Sequence, residues 1–230
     1  MTDGLELMEH HFRTLCVMNA AGDILTSNDP YPPHRKRTCR FRVSWDDTDI
    51  AHRFRDDIGP ETRDRARSWI GKRSPESILH PSSLTDLAEV FGVPVDSIGW
   101  GPAYTADRPV PHDTSAVLLT RENESCLSEG FLEKDEIDYI DPSYIVIQEG
   151  QAVSTCMTVR RTDGAIEAGV DTFETYRGKG YAVQATAAWL NATLDAGLVP
   201  FYSTSSDNTS SQRVAEKVGL QQFATELKVG

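Results

Sequence analysis

A glycine-rich loop with two cations, Arg177-Gly178-Lys179-Gly180, separates a strand-like run from an alanine-rich run. Glycines at such a position let the backbone approach a ligand with no Cβ in the way. A helix that begins directly after them offers unpaired N–H groups and the positive end of its dipole, and both favour phosphate. The loop therefore predicts a pyrophosphate cradle. A tight turn that carries two solvated cations is the alternative that the loop alone leaves open.

The cradle does not follow two common phosphate motifs. Lys179 is followed by glycine rather than by the Ser or Thr of a Walker A loop, and Val183 stands where a dinucleotide-binding turn has its third glycine. The elements that must position the loop are a strand over residues 165–172 and a helix over residues 182–196, which Gly197 ends.

The rest of the second half alternates strand and helix patterns. Strands at residues 144–147, 152–160 and 165–172 are separated by short turns, and this predicts a meander of three antiparallel strands. A further strand is predicted at 198–204, and a last helix begins near Thr209 and is followed by a strand-like segment.

The first half reads as a separate α+β region. We predict a hairpin over residues 12–27, helices over 50–57 and 60–71, and a helix from Ser83 that ends at Gly92. Residues 93–112 contain four prolines and two glycines, so they indicate a linker. This places a domain boundary between residues 1–112 and 113–230. Trp100 and Tyr104 in the linker either line a ligand pocket or pack the linker onto the core.

Composition limits the class of protein and its partners. The chain has 230 residues, 39% hydrophobic and 25% charged, which is typical of a folded globular protein. The net charge of −12 argues against nucleic acid as a principal partner. It is compatible with a cationic substrate, although simple solubility is the more common reason for such a charge. No apolar run approaches a membrane span, so we expect no membrane partner. The beginning of the chain lacks a signal-peptide core, and the four cysteines show no paired spacing, so we expect free thiols, no metal and a cytoplasmic location.

A basic cluster lies in the polar connection before residue 43. It contains His34, Arg35, Lys36, Arg37, Arg40 and Arg42. Such a run either contacts an anionic ligand or is a solvated loop that faces acidic neighbours, and the second is the more common case.

Three segments together resemble one known family. The loop has the pattern Arg-x-x-Gly-x-Ala at Arg177, Gly180 and Ala182, and it follows the strand at 165–172. Residues 208–220, NTSSQRVAEKVGL, resemble the helix pattern NxxAxxxYxKxGF, with milder variants at Ser211 and Leu220. In this order and spacing, residues 115–230 resemble the GNAT superfamily of acetyl-CoA-dependent N-acetyltransferases. Residues 1–112 show no such resemblance.

The resemblance implies an α+β fold with a mixed, mostly antiparallel central sheet flanked by helices, to which the first region is added. It implies acetyl-CoA as co-substrate and no metal. Two strands of such a fold splay apart beside the cradle, so that backbone groups of one strand can pair with the pantetheine arm. The implied cofactor-binding residues are Val170, Asp171, Thr172, the main-chain N–H groups of Arg177, Gly178, Lys179, Gly180, Tyr181 and Ala182, and Asn208 beyond the splay.

The implied reaction also needs proton transfers. The acceptor amine must be neutral when it attacks, so a base must take its proton, and Glu167 on the strand before the cradle is the first candidate. Asp171 falls on the same side if the strand is regular. A solvent-facing or salt-bridged Glu167 is the structural alternative. At the position of the family's tyrosine acid this chain has Ala215, and Tyr202, Tyr181 or water are the substitutes.

Two functions remain open from the sequence. The first is acetyl transfer to a primary amine of a small molecule or a peptide, with residues 1–112 shaping the acceptor site. The second is a non-catalytic acyl-CoA-binding or regulatory module, which the missing tyrosine would suit. The acceptor and the length of the acyl group are not encoded in a recognisable motif, and a homodimer is compatible with the sequence.

Overall fold

The computed structural model describes residues 3–32, 35–36, 38–111, 114–128, 131–132 and 136–230. The α-helices in these ranges are α1 (Gly4–Leu15), α2 (Pro60–Gly71), α3 (Pro81–Phe91), α4 (Tyr181–Asp195) and α5 (Thr209–Val218). The strands are β1 (Cys16–Met18), β2 (Ile24–Ser27), β3 (Phe41–Trp45), β4 (Ile50–Phe54), β5 (Ile98–Thr105), β6 (Val117–Leu118), β7 (Ser143–Gln148), β8 (Gln151–Arg161), β9 (Ala165–Thr172), β10 (Val199–Ser203) and β11 (Gln221–Val229).

One sheet of nine strands organises these elements. Its order is β4-β3-β11-β5-β10-β9-β8-β7-β6, while β1 and β2 form a separate hairpin. Every neighbouring pair in the sheet is antiparallel except β9 and β10, which are parallel. A parallel pair needs a crossover connection, and α4 supplies it. The predicted fold class, a mixed and mostly antiparallel sheet flanked by helices, is confirmed.

Helices cover both faces of the sheet. α4 and α5 pack over Ile166 and Tyr202, in a buried cluster that includes Trp189. Side chains of a strand alternate between faces, so Glu167 points away from α4, and there it meets α1. α2 and α3 pack on β3, β4 and β11 around Phe41 and other buried apolar side chains. The two faces of β9 therefore lie against helices from opposite ends of the chain.

The helices and strands around the cradle lie where the sequence predicts them. The strand predicted at 165–172 is β9, and the predicted helices at 182–196 and from Thr209 are α4 and α5 within one residue at their starts. The predicted hairpin at 12–27 is present as β1 and β2, but α1 before it was not foreseen. α1 is amphipathic and buries Met8, His11, Phe12 and Thr14.

The helix predicted at residues 50–57 is wrong. β4 occupies this segment and pairs with β3, with His52 opposite Val43. The acidic residues before this segment are also compatible with a helix start, but the Asp46 side chain accepts the N–H groups of Thr48 and Asp49 and closes the turn between the two strands. An Asp side chain makes the same local bond in an Asx turn as at a helix N-cap, so the sequence does not distinguish them.

The linker predicted at residues 93–112 is also wrong for residues 98–105. Residues 98–105 form β5, which pairs with β11 on one side and with β10 on the other. Prolines and glycines locally disfavour a strand, but pairing with the two neighbouring strands outweighs this preference. The sequence therefore does not indicate the central strand. The predicted boundary between 112 and 113 falls outside the described residues, and the sheet contains strands from both sides of it. The division into two domains stays a prediction.

No helix in the described ranges is both long and apolar enough to cross a membrane. All four cysteines lie in the described part of the chain, and none of them is in a disulfide.

Candidate active site

β9 and β10 splay apart in the middle of the sheet. They pair at three positions, the last of which joins Glu167 to Phe201. From there β10 continues along β5, with Ser203 opposite Ala103. Within the described strands, the edge of β9 from residue 168 to residue 172 therefore has no neighbouring strand on the β10 side. Backbone groups along this edge are available to a bound ligand.

The loop after β10 holds the splay open. The N–H of Thr204 donates to the carbonyl of Pro102, and the N–H of Ser206 donates to the carbonyl of Trp100. The loop thus lies directly on β5, and a Cβ at Gly101 would overlap the carbonyl oxygen of Thr204. Glycine is required at this position because the two backbones approach so closely.

A cavity of about 480 Å³ lies on the α4 and α5 side of the splay, and we call it the cradle cavity. Lys179 does not line this cavity, and its ammonium lies 4.8 Å from the centroid of the Tyr176 ring. The other predicted cofactor-binding residues do line it: Val170, Asp171, Thr172, Arg177, Gly178, Gly180, Tyr181, Ala182 and Asn208. The structure therefore brings nine of the ten predicted residues around one space.

The backbone of the cradle fits an anionic group. Gly178 and Gly180 have φ angles of 77° and 84°, a region that side chains with a Cβ rarely adopt. A Cβ at either glycine would meet no other described atom within 4 Å, so the space beside them is open. Gly180 is the N-cap of α4 and makes no side-chain cap bond, and the first N–H groups of α4 have no acceptor within the helix. This arrangement suits a pyrophosphate.

Arg177 is already engaged by its neighbours. Its main-chain N–H donates to the carbonyl of Glu174 at 3.2 Å, and its side-chain Nε donates to the carbonyl of Thr172 at 3.2 Å. The predicted cradle therefore has fewer available N–H groups than the sequence implies, but the guanidinium is held at the mouth of the cavity. Arg213 and Lys217 on α5 line the same cavity and add positive charge from the opposite wall.

Asn208 and Tyr202 occupy the α5 wall of the cradle cavity. Asn208 is the N-cap of α5 and accepts the N–H of Ser211 at 3.0 Å. The Tyr202 hydroxyl lies 2.7 Å from the Ser211 Oγ, and burial raises the pKa of Tyr202 to about 12. Ala215 is fully buried in the apolar cluster. Tyr202 is thus the tyrosine, of the two substitutes named above, whose hydroxyl is fixed inside the cavity.

Glu167 lies on the other side of the splay. Its side chain is only 4% exposed. Its Oε1 accepts the N–H of Ser203 at 2.9 Å and the Oγ–H of Ser203 at 2.6 Å. Its Oε2 is hydrogen-bonded to Nε2 of His11 at 2.8 Å. The alternative of a solvent-facing Glu167 is excluded, whereas the alternative of a salt-bridged Glu167 is what the structure contains.

A second cavity, of about 810 Å³, adjoins Glu167, and we call it the α1-side cavity. Asp171 does not share this cavity with Glu167, because it lines the cradle cavity instead. Trp100 lines the α1-side cavity and is 36% exposed, whereas Tyr104 is buried and packs its ring against Tyr202. Several further lining residues come from the first 112: Leu15, Ser27, Thr38, Cys39, Arg42, Arg55, Ser97, Gly99 and Gly101.

A buried chain of charges that the sequence does not reveal borders the α1-side cavity through Arg42, Glu167 and Glu226. Nδ1 of His11 lies 2.9 Å from Oε1 of Glu226, and Nη1 of Arg42 donates to Oε2 of Glu226 at 2.8 Å. Burial by itself would lower the pKa of His11, but Glu226 and Glu167 raise it to about 9. Burial would raise the pKa of Glu226, yet His11 and Arg42 lower it to about 2. The charged forms of His11, Glu226 and Arg42 are therefore the stable ones at neutral pH.

The basic cluster before residue 43 does not contribute to the cradle. His34 and Arg37 lie outside the described residues. Arg42 belongs to the charge chain, and Arg40 donates to the carbonyl of Phe91. None of the four described members lines the cradle cavity. No group of three or more His, Cys, Asp or Glu side chains in the described ranges is arranged to hold a metal ion.

Comparison with known proteins gives one family. The model of the GNAT acetyltransferase family matches residues 142–227. No curated protein matches the chain. Among solved structures, the chain is similar to a GNAT-family acetyltransferase structure from Novosphingobium aromaticivorans, with 24% identity, 58% of this chain and 66% of that chain covered, and a TM-score of 0.46.

Two further structures are similar over different lengths. A GCN5-related N-acetyltransferase-like protein from Streptococcus suis has 23% identity, 65% of this chain and 68% of that chain covered, and a TM-score of 0.45. An acetyltransferase of the GNAT family from Colwellia psychrerythraea has 12% identity and a TM-score of 0.49. The match covers 98% of this chain and 96% of that chain. The family match spans β7 to β11 and includes the whole cradle, so the resemblance of the C-terminal half to the GNAT superfamily is confirmed.

Proposed function

We propose that the protein transfers an acetyl group from acetyl-CoA to a primary amine, by direct attack in a ternary complex. The observation that carries this proposal is the pair of cavities on the two sides of one splay. A cavity whose backbone suits a pyrophosphate lies on one side, and the carboxylate of Glu167 lies on the other. When two reactants meet in such a gap, proximity alone contributes much of the rate enhancement.

The cofactor side follows from the fit of the cradle. Acetyl-CoA, when bound, supplies an activated thioester. The N–H groups at the start of α4 would hold its pyrophosphate, and the free edge of β9 from Val170 to Thr172 would pair with the pantetheine arm. N–H groups on that edge are also suited to stabilise negative charge on the carbonyl oxygen as the amine attacks.

The acceptor side follows from Glu167. A carboxylate offers about four acceptor positions, and here Ser203 and His11 use three of them. One position remains for the proton of the acceptor amine, either directly or through a water molecule. The cavity of about 810 Å³ is large enough for a small-molecule or peptide amine. Its lining residues from β3 and β5 support the prediction that the first region shapes the acceptor site.

The proton for the departing thiolate has a candidate source on the cradle side. Tyr202 keeps its proton at neutral pH, as an ordinary tyrosine does, and burial raises its pKa further, to about 12. It lines the cradle cavity next to the splay, so it is our candidate for the group that hydrogen-bonds or protonates the leaving sulfur. This function would be exercised in the reducing cytoplasm that the scattered cysteines predict.

The second candidate function is a non-catalytic acyl-CoA-binding or regulatory module. The observation that favours it is Ala215, which provides no hydroxyl on α5. A thiol-release assay with acetyl-CoA over a panel of primary amines and peptides separates the two. Acetyl transfer predicts amine-dependent release of CoA thiol and an acetylated product of the corresponding mass. Saturable binding of acetyl-CoA with no turnover of any amine would favour the binding module.

A further inference from the structure

His11 is a polar ring in a position that an apolar residue would normally fill. It lies in the buried stripe of α1, its side chain has no exposure to solvent, and its ring centroid is 4.6 Å from that of Phe201. Burying a ring with two polar nitrogens costs free energy unless both nitrogens have partners. The apolar neighbours Met8 and Phe12 already anchor α1 to the sheet. Packing therefore does not explain why a histidine stands here.

The partners of His11 explain its protonation. Nε2 is hydrogen-bonded to Oε2 of Glu167 at 2.8 Å, and Nδ1 lies 2.9 Å from Oε1 of Glu226 in an ion-pair contact. An ionised carboxylate only accepts hydrogen bonds, so Nε2 carries a proton, whereas the contact of Nδ1 with Glu226 is an ion-pair distance without hydrogen-bond geometry. The two carboxylates beside the ring therefore favour the positively charged imidazolium.

The two carboxylates of this charge chain have different numbers of cationic partners: Glu226 contacts Arg42 and His11, whereas Glu167 contacts His11 alone among the described residues. Arg42 already neutralises Glu226, and its Nη1 donates to Oε2 of Glu226. Glu167 has no second cation within salt-bridge distance among the described residues, because its other partner is the neutral Ser203. The imidazolium of His11 is therefore the positive charge that holds Glu167.

We propose that His11 is a positioning residue for acetyl transfer: it orients the Glu167 carboxylate and balances its charge while Glu167 accepts the proton of the acceptor amine. This inference rests on the proposed function. As the nitrogen–carbon bond forms, the proton moves from the amine nitrogen to Glu167 and then to solvent through the α1-side cavity. The carbon–sulfur bond breaks with its electron pair on sulfur, and the departing CoA thiolate takes a proton from Tyr202 or water. The imidazolium neither gains nor loses a proton. α1 is then a part of the catalytic apparatus that comes from outside the region of the family match.

The charged groups around His11 determine which protonation equilibrium changes when its imidazolium is removed. From β9 it faces Glu167, from β11 it faces Glu226, and β10 contributes only the uncharged Phe201. Its own helix contributes the adjacent His10, and Arg42 from β3 acts through Glu226. A neutral side chain at position 11 leaves two neighbouring carboxylates with one cation. Glu167 should then bind a proton more readily, and the enzyme should need a higher pH to keep this base ionised.

The first experiment compares His11→Gln with His10→Gln over a range of pH. His10 is a matched control because it lies on the same helix and contacts the same Phe201 ring, but no carboxylate contact is recorded for it in the described residues. We expect His11→Gln to lower kcat by about tenfold or more and to move the acidic limb of the kcat/KM profile upward by about one pH unit, with acetyl-CoA affinity unchanged. His10→Gln should keep the wild-type midpoint. An unchanged midpoint in a folded His11→Gln protein would overturn the proposal.

A second measurement does not depend on the folding of the His11 variant or on turnover. NMR titration of labelled histidine in the wild-type protein should find His11 charged up to pH about 9. In Glu167→Gln, the same midpoint should fall by about one unit or more because one carboxylate is lost. Equal midpoints in the two proteins would contradict the coupling. If the coupling is present but no amine is acetylated, the proposed function fails; if amines are acetylated but the midpoints are equal, only the role of His11 fails.

Discussion

The two sides of the splay differ in the groups that face the ligand: backbone groups on the cradle side and charged side chains on the α1 side. On the cradle side, the groups proposed to hold the cofactor are mostly backbone: two glycines with positive φ, the uncapped start of α4 and the free edge of β9. The α1-side cavity is mostly side-chain charge, and its central chain of Arg42, Glu226, His11 and Glu167 comes from four different elements. A backbone site can be encoded in one contiguous stretch, whereas a buried charge site depends on long-range assembly.

The difference extends to electrostatics. The cations of the cradle side, such as Arg213 and Lys217, line a cavity that is open to solvent, where salt screens them. The charges of the α1 side are buried, so each depends strongly on its partner. Changes to the backbone or the cations of the cradle side should therefore affect binding of the cofactor, and changes to the buried charges of the α1 side should affect the rate and the pH dependence.

Glu167→Gln should give the largest difference between the effect on turnover and the effect on acetyl-CoA binding. The amide cannot take a proton from the amine, so kcat should fall by about 10²- to 10⁴-fold, while the affinity for acetyl-CoA stays within about twofold. Steady-state kinetics together with calorimetric binding of acetyl-CoA would check this. Asp163→Asn, an exposed carboxylate just before the same strand, is the control and should leave both values unchanged. A Glu167→Gln enzyme with near wild-type turnover would remove Glu167 from the mechanism.

The stability of the α1 side should depend on pH. The pKa of His11 is about 9 in the folded protein and 6.5 ordinarily, so its contribution is full below pH 6.5 and is lost as the pH rises through 9. A difference of this size corresponds to about 3 kcal/mol. The Tm of the wild-type protein should therefore fall by several degrees more than that of His11→Gln between pH 6.5 and 9.5, in circular dichroism melts. Parallel declines in the two proteins would contradict the buried imidazolium.

Gly101→Ala should disturb both sides at once. The new Cβ would overlap the carbonyl oxygen of Thr204 and push the loop after β10 away from β5. We expect a loss of about 1–3 kcal/mol in the free energy of unfolding, measured by urea denaturation. Gly59→Ala is the control, because a Cβ there meets no described atom within 4 Å and the backbone is extended. Equal stability of the two variants would mean that the loop does not hold the splay.

Tyr202→Phe should have the smallest effect. Water can protonate the leaving thiolate, so we expect kcat to fall by about tenfold with little change in acetyl-CoA affinity. Tyr104→Phe is matched, since Tyr104 packs against Tyr202 but does not line the cradle cavity. If both variants have wild-type kcat, water supplies this proton and the cradle side contributes no side chain to the chemistry.

The cradle could be predicted from the sequence because its requirements are local. Glycine at positions 178 and 180, the strand before them and the alanine-rich helix after them lie within one stretch and follow known backbone preferences. The motif on α5 added a second match in the correct order. Nine of the ten predicted residues accordingly lie around one cavity.

The α1 side could not be predicted in this way. His11 and Glu167 are 156 positions apart, and Arg42 and Glu226 are 184 apart, so no spacing rule connects them. Glu167 was selected by its place on the strand, but its partners depend on how α1 and β11 pack. Arg42 was grouped with a solvated loop for the same reason. β5 was missed because its prolines and glycines indicate a linker, although it lies in the centre of the sheet.

The most direct test of the account is equilibrium binding of acetyl-CoA to Gly180→Val and to Gly150→Val. Both glycines have positive φ, and a Cβ at either would meet no described atom within 4 Å, so the backbone strain is comparable. Only Gly180 lines the cradle cavity; Gly150 lies in the turn between β7 and β8. Calorimetry should find that Gly180→Val weakens binding by about 100-fold or more and that Gly150→Val keeps wild-type affinity. Undiminished binding by a folded Gly180→Val protein would contradict the cradle and, with it, the proposed function.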